Sequence, residues 1–248
     1  VIIEVFGAVG APARLFGRLP LITRYLWSGL ASPWFSPRFA RNRFGKNYQM
    51  RPWLLFDMQE LQMLEELINK ATDQRVQEFR QHQLESLNMV SVVSALVSGI
   101  GLTALQLPGM ESTSYLGRGC FCVSTIIALL ATFFTCLQQR TYGFIEEPGA
   151  IRAWLSNGVR YLSADGIETL QSSVVSHNLL QAPFELLCIS ITTFLLGFGV
   201  HLGSAYVENV PLGVEESIGN RGVLIAFCIG TAFALGLLGQ VLGGKDVE

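Results

Sequence analysis

The chain has 248 residues, 50% of them hydrophobic and 15% charged, with a formal net charge of −2. An ordinary soluble domain is about 25% charged, so this composition excludes a water-soluble protein of the usual kind. The near-neutral balance also excludes the basic footprint of a nucleic-acid binder.

The first 54 residues read as an irregular arm. Residues 1–13 are apolar, but no basic run precedes them, so they lack the signal-peptide pattern. Pro12, Pro20, Pro33, Pro37 and Pro52 rule out a long helix. Between them Phe16, Tyr25, Trp27, Trp34, Phe35, Phe39 and Phe44 interleave with arginines. Rings beside guanidinium groups suit two surroundings equally: the lipid headgroup layer or the face of a partner subunit.

From Asp57 to Leu87 there is neither Pro nor Gly. Met58, Leu61, Leu64, Ile68 and Ala71 recur every three or four residues and predict one apolar helix face. That face needs a cover, either the 146–181 segment or a neighbouring subunit. No breaker precedes the first long apolar run. The pattern therefore predicts one helix over about 55–107, with its 55–87 part on the cytoplasmic side.

Four apolar runs follow, at 88–107, 119–138, 182–203 and 222–244. A span needs about 20 such residues, because a helix rises about 1.5 Å per residue through a hydrocarbon core about 30 Å thick. The predicted fold class is all-α, a four-helix integral membrane protein whose first span continues a long cytoplasmic helix. Between the second and third spans the pattern predicts two short amphipathic helices. One covers 151–162, with Trp154, Leu155, Val159 and Leu162 on its face. The other follows Ser163 as N-cap, with Ile167, Leu170, Val174 and His177 aligned. Pro183 is expected in the first turn of the third span.

Basic residues set the orientation. Eleven Lys and Arg precede the first span, and Arg140, Arg152 and Arg160 follow the second. The other two loops hold only Arg118 and Arg221. The positive-inside rule then places both termini and the long second loop on the cytoplasmic, or matrix, side.

Signals for chemistry are sparse. Cys120, Cys122, Cys136, Cys188 and Cys228 all fall in the spans, at no zinc-like spacing. His82, His177 and His201 sit on separate elements. No phosphate-binding loop or nucleophile elbow occurs, so neither enzymatic activity nor a metal or cofactor is expected. Glu185 and His201 are expected at the two ends of the third span rather than in its middle.

One helix face stands out. Asn88, Ser91, Ser94, Ala95, Ser98 and Gly101 fall within about a third of the circumference of the first span, at about 100° per residue. Met89, Val93, Leu96, Val97 and Ile100 occupy the opposite arc. Small, weakly polar residues serve either close helix packing or a pore lining, here with Gln106 near the outer mouth. In the fourth span, Gly239 and Gly243 form a helix-contact motif.

Two functions are compatible with this pattern. The first is an oligomeric ion channel, its pore or central contacts made by the first-span face. That arrangement resembles, in topology, the store-operated calcium channels, which also have four spans, both termini inside and a pore helix extended into the cytoplasm. Those channels carry an acidic ring in the outer pore helix. This chain has Gln106 there, with Glu111 only beyond Pro108, so the resemblance does not extend to calcium selectivity. The second function is a non-catalytic structural subunit of a larger assembly, respiratory or photosynthetic for example. A third, an interfacial enzyme using Glu185, His177 and His201, requires residues at opposite boundaries to meet. The expected partners are the lipid bilayer and either further copies or other membrane subunits, with no nucleic acid.

Overall fold

A computed structural model describes residues 37–45, 58–107, 109–162, 166–210 and 219–244. Most of the arm therefore lies outside the described residues, as does Ser163. The described chain is mostly helical. In order it forms α1 (Pro37–Phe44), α2 (Met58–Lys70), α3 (Asp73–Ala104), α4 (Tyr115–Gly143) and α5 (Pro148–Leu155). A hairpin of β1 (Ser156–Leu162) and β2 (Glu168–Ser172) follows, then α6 (Val174–Val207) and α7 (Gly219–Gly244). Three of these, α3, α4 and α6, are long and apolar enough to cross a bilayer.

Four expectations need correction. The first concerns the arm, where irregular chain is expected but α1 forms. It starts at a proline, whose missing N–H is no loss in a first turn, and ends at Gly45 with φ +77°. The second concerns the single helix from about 55. It breaks at Ala71 and Thr72. The Thr72 hydroxyl accepts the Arg75 N–H at 3.4 Å and its carbonyl accepts the Val76 N–H at 3.1 Å. Thr72 thus caps α3, with Asp73 in the first turn. Arg152 bridges the break, donating to the Ala71 carbonyl at 2.8 Å and pairing with Asp73 at 2.6 Å.

The third correction is in the second loop, where two helices are expected and one forms. After α5 the chain turns into the antiparallel hairpin, with Arg160 opposite Leu170 and Tyr161 opposite Thr169. The helix ends at Leu155, where Ser156 turns extended and its N–H bonds to the Arg152 carbonyl. Within β1 the Asn157 side-chain Oδ1 accepts the Val159 N–H at 3.0 Å, and Gly158 takes φ +77°, where the register slips. Ile167 and Leu170 thus belong to the hairpin and not to a helix shared with His177. The fourth correction is Pro183, which lies well inside α6 and not at its start. Lacking an N–H, it leaves the Leu179 carbonyl without its helical donor. The Gln138 side-chain amide, from α4, donates to that carbonyl instead.

The described chain divides into two units. The first holds α1, α2, α3 as far as Met89, Phe134–Gly143 of α4, α5, the hairpin and α6 up to Pro183. Its core is Leu64, Ile68, Val76, Tyr142, Ile151 and Leu155. The 146–181 segment is therefore the cover for the apolar face of α2. The Tyr142 and Trp154 rings lie 5.0 Å apart, and Arg80 caps the end of α4 by donating to the Gly143 carbonyl at 2.5 Å.

The second unit holds Val90–Ala104 of α3, α4 up to Phe133, α6 from Phe184, and α7. On α4, Gly117, Phe121, Ser124, Ala128 and Ala131 are buried at alternating spacings of four and three, the period of left-handed helix packing. Gly117 and Gly197 allow a close approach of α4 and α6. A Cβ on Gly197 would lie 2.7 Å from the Cys120 Cβ and 3.2 Å from the Gly117 carbonyl. Along the same seam, the Ser124 hydroxyl donates to the Ser190 carbonyl at 2.8 Å and the Ser190 hydroxyl returns the bond to Ser124 at 2.8 Å. Large apolar side chains such as Leu96, Phe133, Leu196 and Phe233 remain exposed, as a lipid-facing surface requires.

The Gln138 repair is testable by a double-mutant cycle. Gln138→Leu should lower stability by about 1–3 kcal/mol, because a buried carbonyl loses its donor. In a Pro183→Ala background the backbone supplies that donor, so the cost of Gln138→Leu should shrink markedly. Thermal midpoints of the four detergent-solubilised proteins measure this coupling.

Candidate functional site

The small-residue face of α3 is the candidate drawn from the sequence. Ser94 is fully buried, and its hydroxyl bonds back to the Val90 carbonyl at 2.7 Å. Ser98 is buried as well. Gly101 is covered by α4, where a Cβ would collide with the Thr125 hydroxyl. That hydroxyl donates to the Phe121 carbonyl at 2.9 Å. A helix of the same chain thus fills the space beside Gly101. Ser91 is half-buried, while Asn88 is exposed and accepts the Gln139 amide at 3.1 Å. Gln106 is exposed in the turn after α3. On the opposite arc Met89, Leu96 and Ile100 are exposed. Gly239 and Gly243 lie in α7, with surroundings outside the described residues.

The titratable groups singled out earlier separate. His177 belongs to the first unit, Glu185 and His201 to the second. His201 is buried, with its Nδ1 3.1 Å from the Thr113 hydroxyl. His177 Nε2 lies 3.5 Å from a Glu60 oxygen, and the Gln181 amide donates to the same carboxylate. Among the described residues, no group of three or more His, Cys, Asp or Glu gathers as a metal site would require, and all five cysteines are free.

A second polar constellation, in the first unit, was not singled out from the sequence. Arg43 of α1 forms an ion pair with Glu65 of α2, and the side chains are 1% and 7% exposed. The Arg43 guanidinium also donates to the Ser172 hydroxyl at 2.6 Å and to the Ser172 carbonyl. Glu65 receives the Tyr161 hydroxyl at 2.5 Å through its other oxygen, and the Ser172 N–H at 3.3 Å. The Ser172 hydroxyl in turn donates to the Leu61 carbonyl at 3.1 Å. Phe39 and Phe44 place their rings 5.8 and 5.1 Å from the guanidinium carbon. One helical turn beyond Glu65, Asn69 behaves like a strand. Its amide donates to the Leu170 carbonyl at 2.9 Å and accepts the Leu170 N–H at 2.8 Å.

The electrostatics of this cluster follow from burial. Desolvation pulls Arg43 below its ordinary value, while Glu65 and then Tyr161 pull it back up. Tyr161 is pushed up, first by burial and then by its hydrogen bond to Glu65. Such a cluster locks α1 and the hairpin onto α2. The only sequence signal for it was one basic residue between two Phe in the arm and one Glu on the edge of an apolar helix face. Neither is distinctive alone.

Arg43→Ala should destabilise the chain by about 3–5 kcal/mol, because a buried carboxylate loses its cation. Glu65→Ala should cost a similar amount, by stranding the guanidinium. Differential scanning of thermal midpoints measures both. The phenol adds a pH dependence. With its folded value above its unfolded value of about 10, Tyr161 contributes stability that is complete below about pH 10 and lost as pH rises through the folded value. Tyr161→Phe should therefore flatten the alkaline fall in the thermal midpoint.

No family model, curated protein or solved structure matches this chain, so a functional assignment has to rest on the residues themselves.

Proposed function

We propose that the chain is a non-catalytic, membrane-anchored subunit that works by holding partners, with four spans and both termini on the cytoplasmic or matrix side. The fourth span is α7. One observation carries this reading over a pore: Ser94, Ser98 and Gly101 are buried within a single protomer, the last against Thr125. A pore lining must keep water against its small polar side chains, whereas packing uses them to bring helices close. The Ser94 hydroxyl is already committed to its own backbone. The first unit meanwhile exposes Phe144 (78%), Leu162 (65%), Ile167 (60%) and Val159 (53%). Exposed apolar side chains of this kind suit a protein or membrane contact.

Thiol accessibility separates the two functions. Ser94→Cys and Ser98→Cys should stay unreactive toward a small charged thiol reagent, measured above the background of the five native cysteines. Gln106→Cys should react and serves as the positive control. Co-purification of unlike chains from native membranes should accompany this result. Reaction at both buried positions, together with a ring made only of this chain, would instead establish the pore. Tags at the two termini should be protected on the same side of sealed vesicles.

A further inference from the structure

The acceptors around Arg43 belong to elements that are held in place without it. Asn69 ties α2 to β2 through both atoms of the Leu170 peptide. Ser172 is fixed by its bond to the Leu61 carbonyl, and the neighbouring Ser173 N–H donates to the Leu155 carbonyl at 2.7 Å. Glu65 is oriented by the Tyr161 hydroxyl and the Ser172 N–H. A carboxylate, a hydroxyl and a carbonyl therefore converge before any cation arrives. Together they match the planar donor fork of a guanidinium and not the point charge of an ammonium.

Arg43 enters this set end-on. Its two terminal nitrogens make the bonds, while its buried Nε has no hydrogen-bond partner. Through these nitrogens Arg43 ties α1 to α2 at Glu65 and to β2 at Ser172. A buried ion pair recovers little beyond its desolvation cost, and burial is the largest influence on Arg43. Such a contact is specific in geometry, and losing the cation strands a buried carboxylate, so an emptied site retains a strong demand for a guanidinium.

We propose that Glu65, Tyr161 and Ser172 form a guanidinium-binding site, which the chain fills with its own Arg43 and which accepts the arginine side chain of another polypeptide when α1 is withdrawn. The α1 helix then carries the native occupant of the site. The inference stands on the first unit alone and does not depend on how many spans the chain has or on the reading of its membrane face.

The test is chemical rescue of the full-length protein in detergent. Arg43→Gly empties the site, and N-acetylarginine amide is the probe, with N-acetyllysine amide at matched ionic strength as the control. The probe should raise the thermal midpoint of Arg43→Gly saturably and bind it at least about tenfold more tightly than it binds the wild type, whose site is filled. The lysine analogue should do neither. Glu65→Gln in the same Arg43→Gly chain should abolish the rescue. Equal rescue by the lysine analogue, equal rescue in the double variant, or no rescue of a folded Arg43→Gly protein would overturn the site. If Arg43→Gly does not fold unaided, refolding with methylguanidinium but not methylammonium supports the site, and failure with both overturns it.

Discussion

A polar group inside hydrocarbon has no water to turn to, and the α4–α6 pair is built around that constraint. The reciprocal hydrogen bonds of Ser124 and Ser190 satisfy two hydroxyls at the seam. Along the same seam, Gly117 and Gly197 let the two backbones come close. Further along the same two helices, in the first unit, the rule acts on a backbone defect. Pro183 deprives Leu179 of a donor, and Gln138 supplies one. Glycine, serine and glutamine on α4 and α6 thus answer one demand in three ways: closing distance, pairing hydroxyls and replacing a lost N–H.

The first unit solves a different problem. Its helices are short and its apolar face on α2 is narrow, so the cover must come from α5 and the hairpin. Side chains join these elements at their backbone ends. Arg80 caps α4, Arg152 caps α2 and pairs with Asp73, and Asn69 imitates a neighbouring strand for β2. Each contact matches an unpaired carbonyl or N–H with a side chain of the right length. The Arg43–Glu65 pair extends the same device to α1, but through a buried charge. It therefore contributes more to where α1 sits than to how firmly the unit holds together.

What was legible in the sequence divides along these lines. The long apolar helices were legible because hydrocarbon thickness imposes a length that few other constraints mimic. The apolar face of α2 was legible through its spacing, and the 146–181 segment was one of the two covers considered. The break at Thr72 was hidden because it uses a threonine cap and a distant arginine in place of Pro or Gly. The hairpin was hidden because Trp154, Leu155, Val159 and Leu162 satisfy a helical period by accident. The Asn157–Gly158 pair marks the register slip in β1 and not the end of α5. Neither the Arg43–Glu65 pair nor the Gln138–Leu179 bond has a local signature, since each joins residues far apart in sequence.

The face of α3 shows why small polar residues leave function undecided. Serine at helical spacing is suited to water, to a neighbouring helix and to its own backbone alike. Ser94 takes the third course, bonding one turn back to Val90. A hydroxyl so committed offers little to an ion, and Thr125, on the facing helix, does the same toward Phe121. Both hydroxyls have turned their donors back to their own helices, and the Thr125 oxygen lies so close to Gly101 that even a methyl group would not fit between them. That arrangement gains from close packing and would lose it if water entered, so opening such a face would need α4 to move away from α3. A subunit that only holds partners needs no such motion, which is why the buried face fits an anchoring role better than a conducting one.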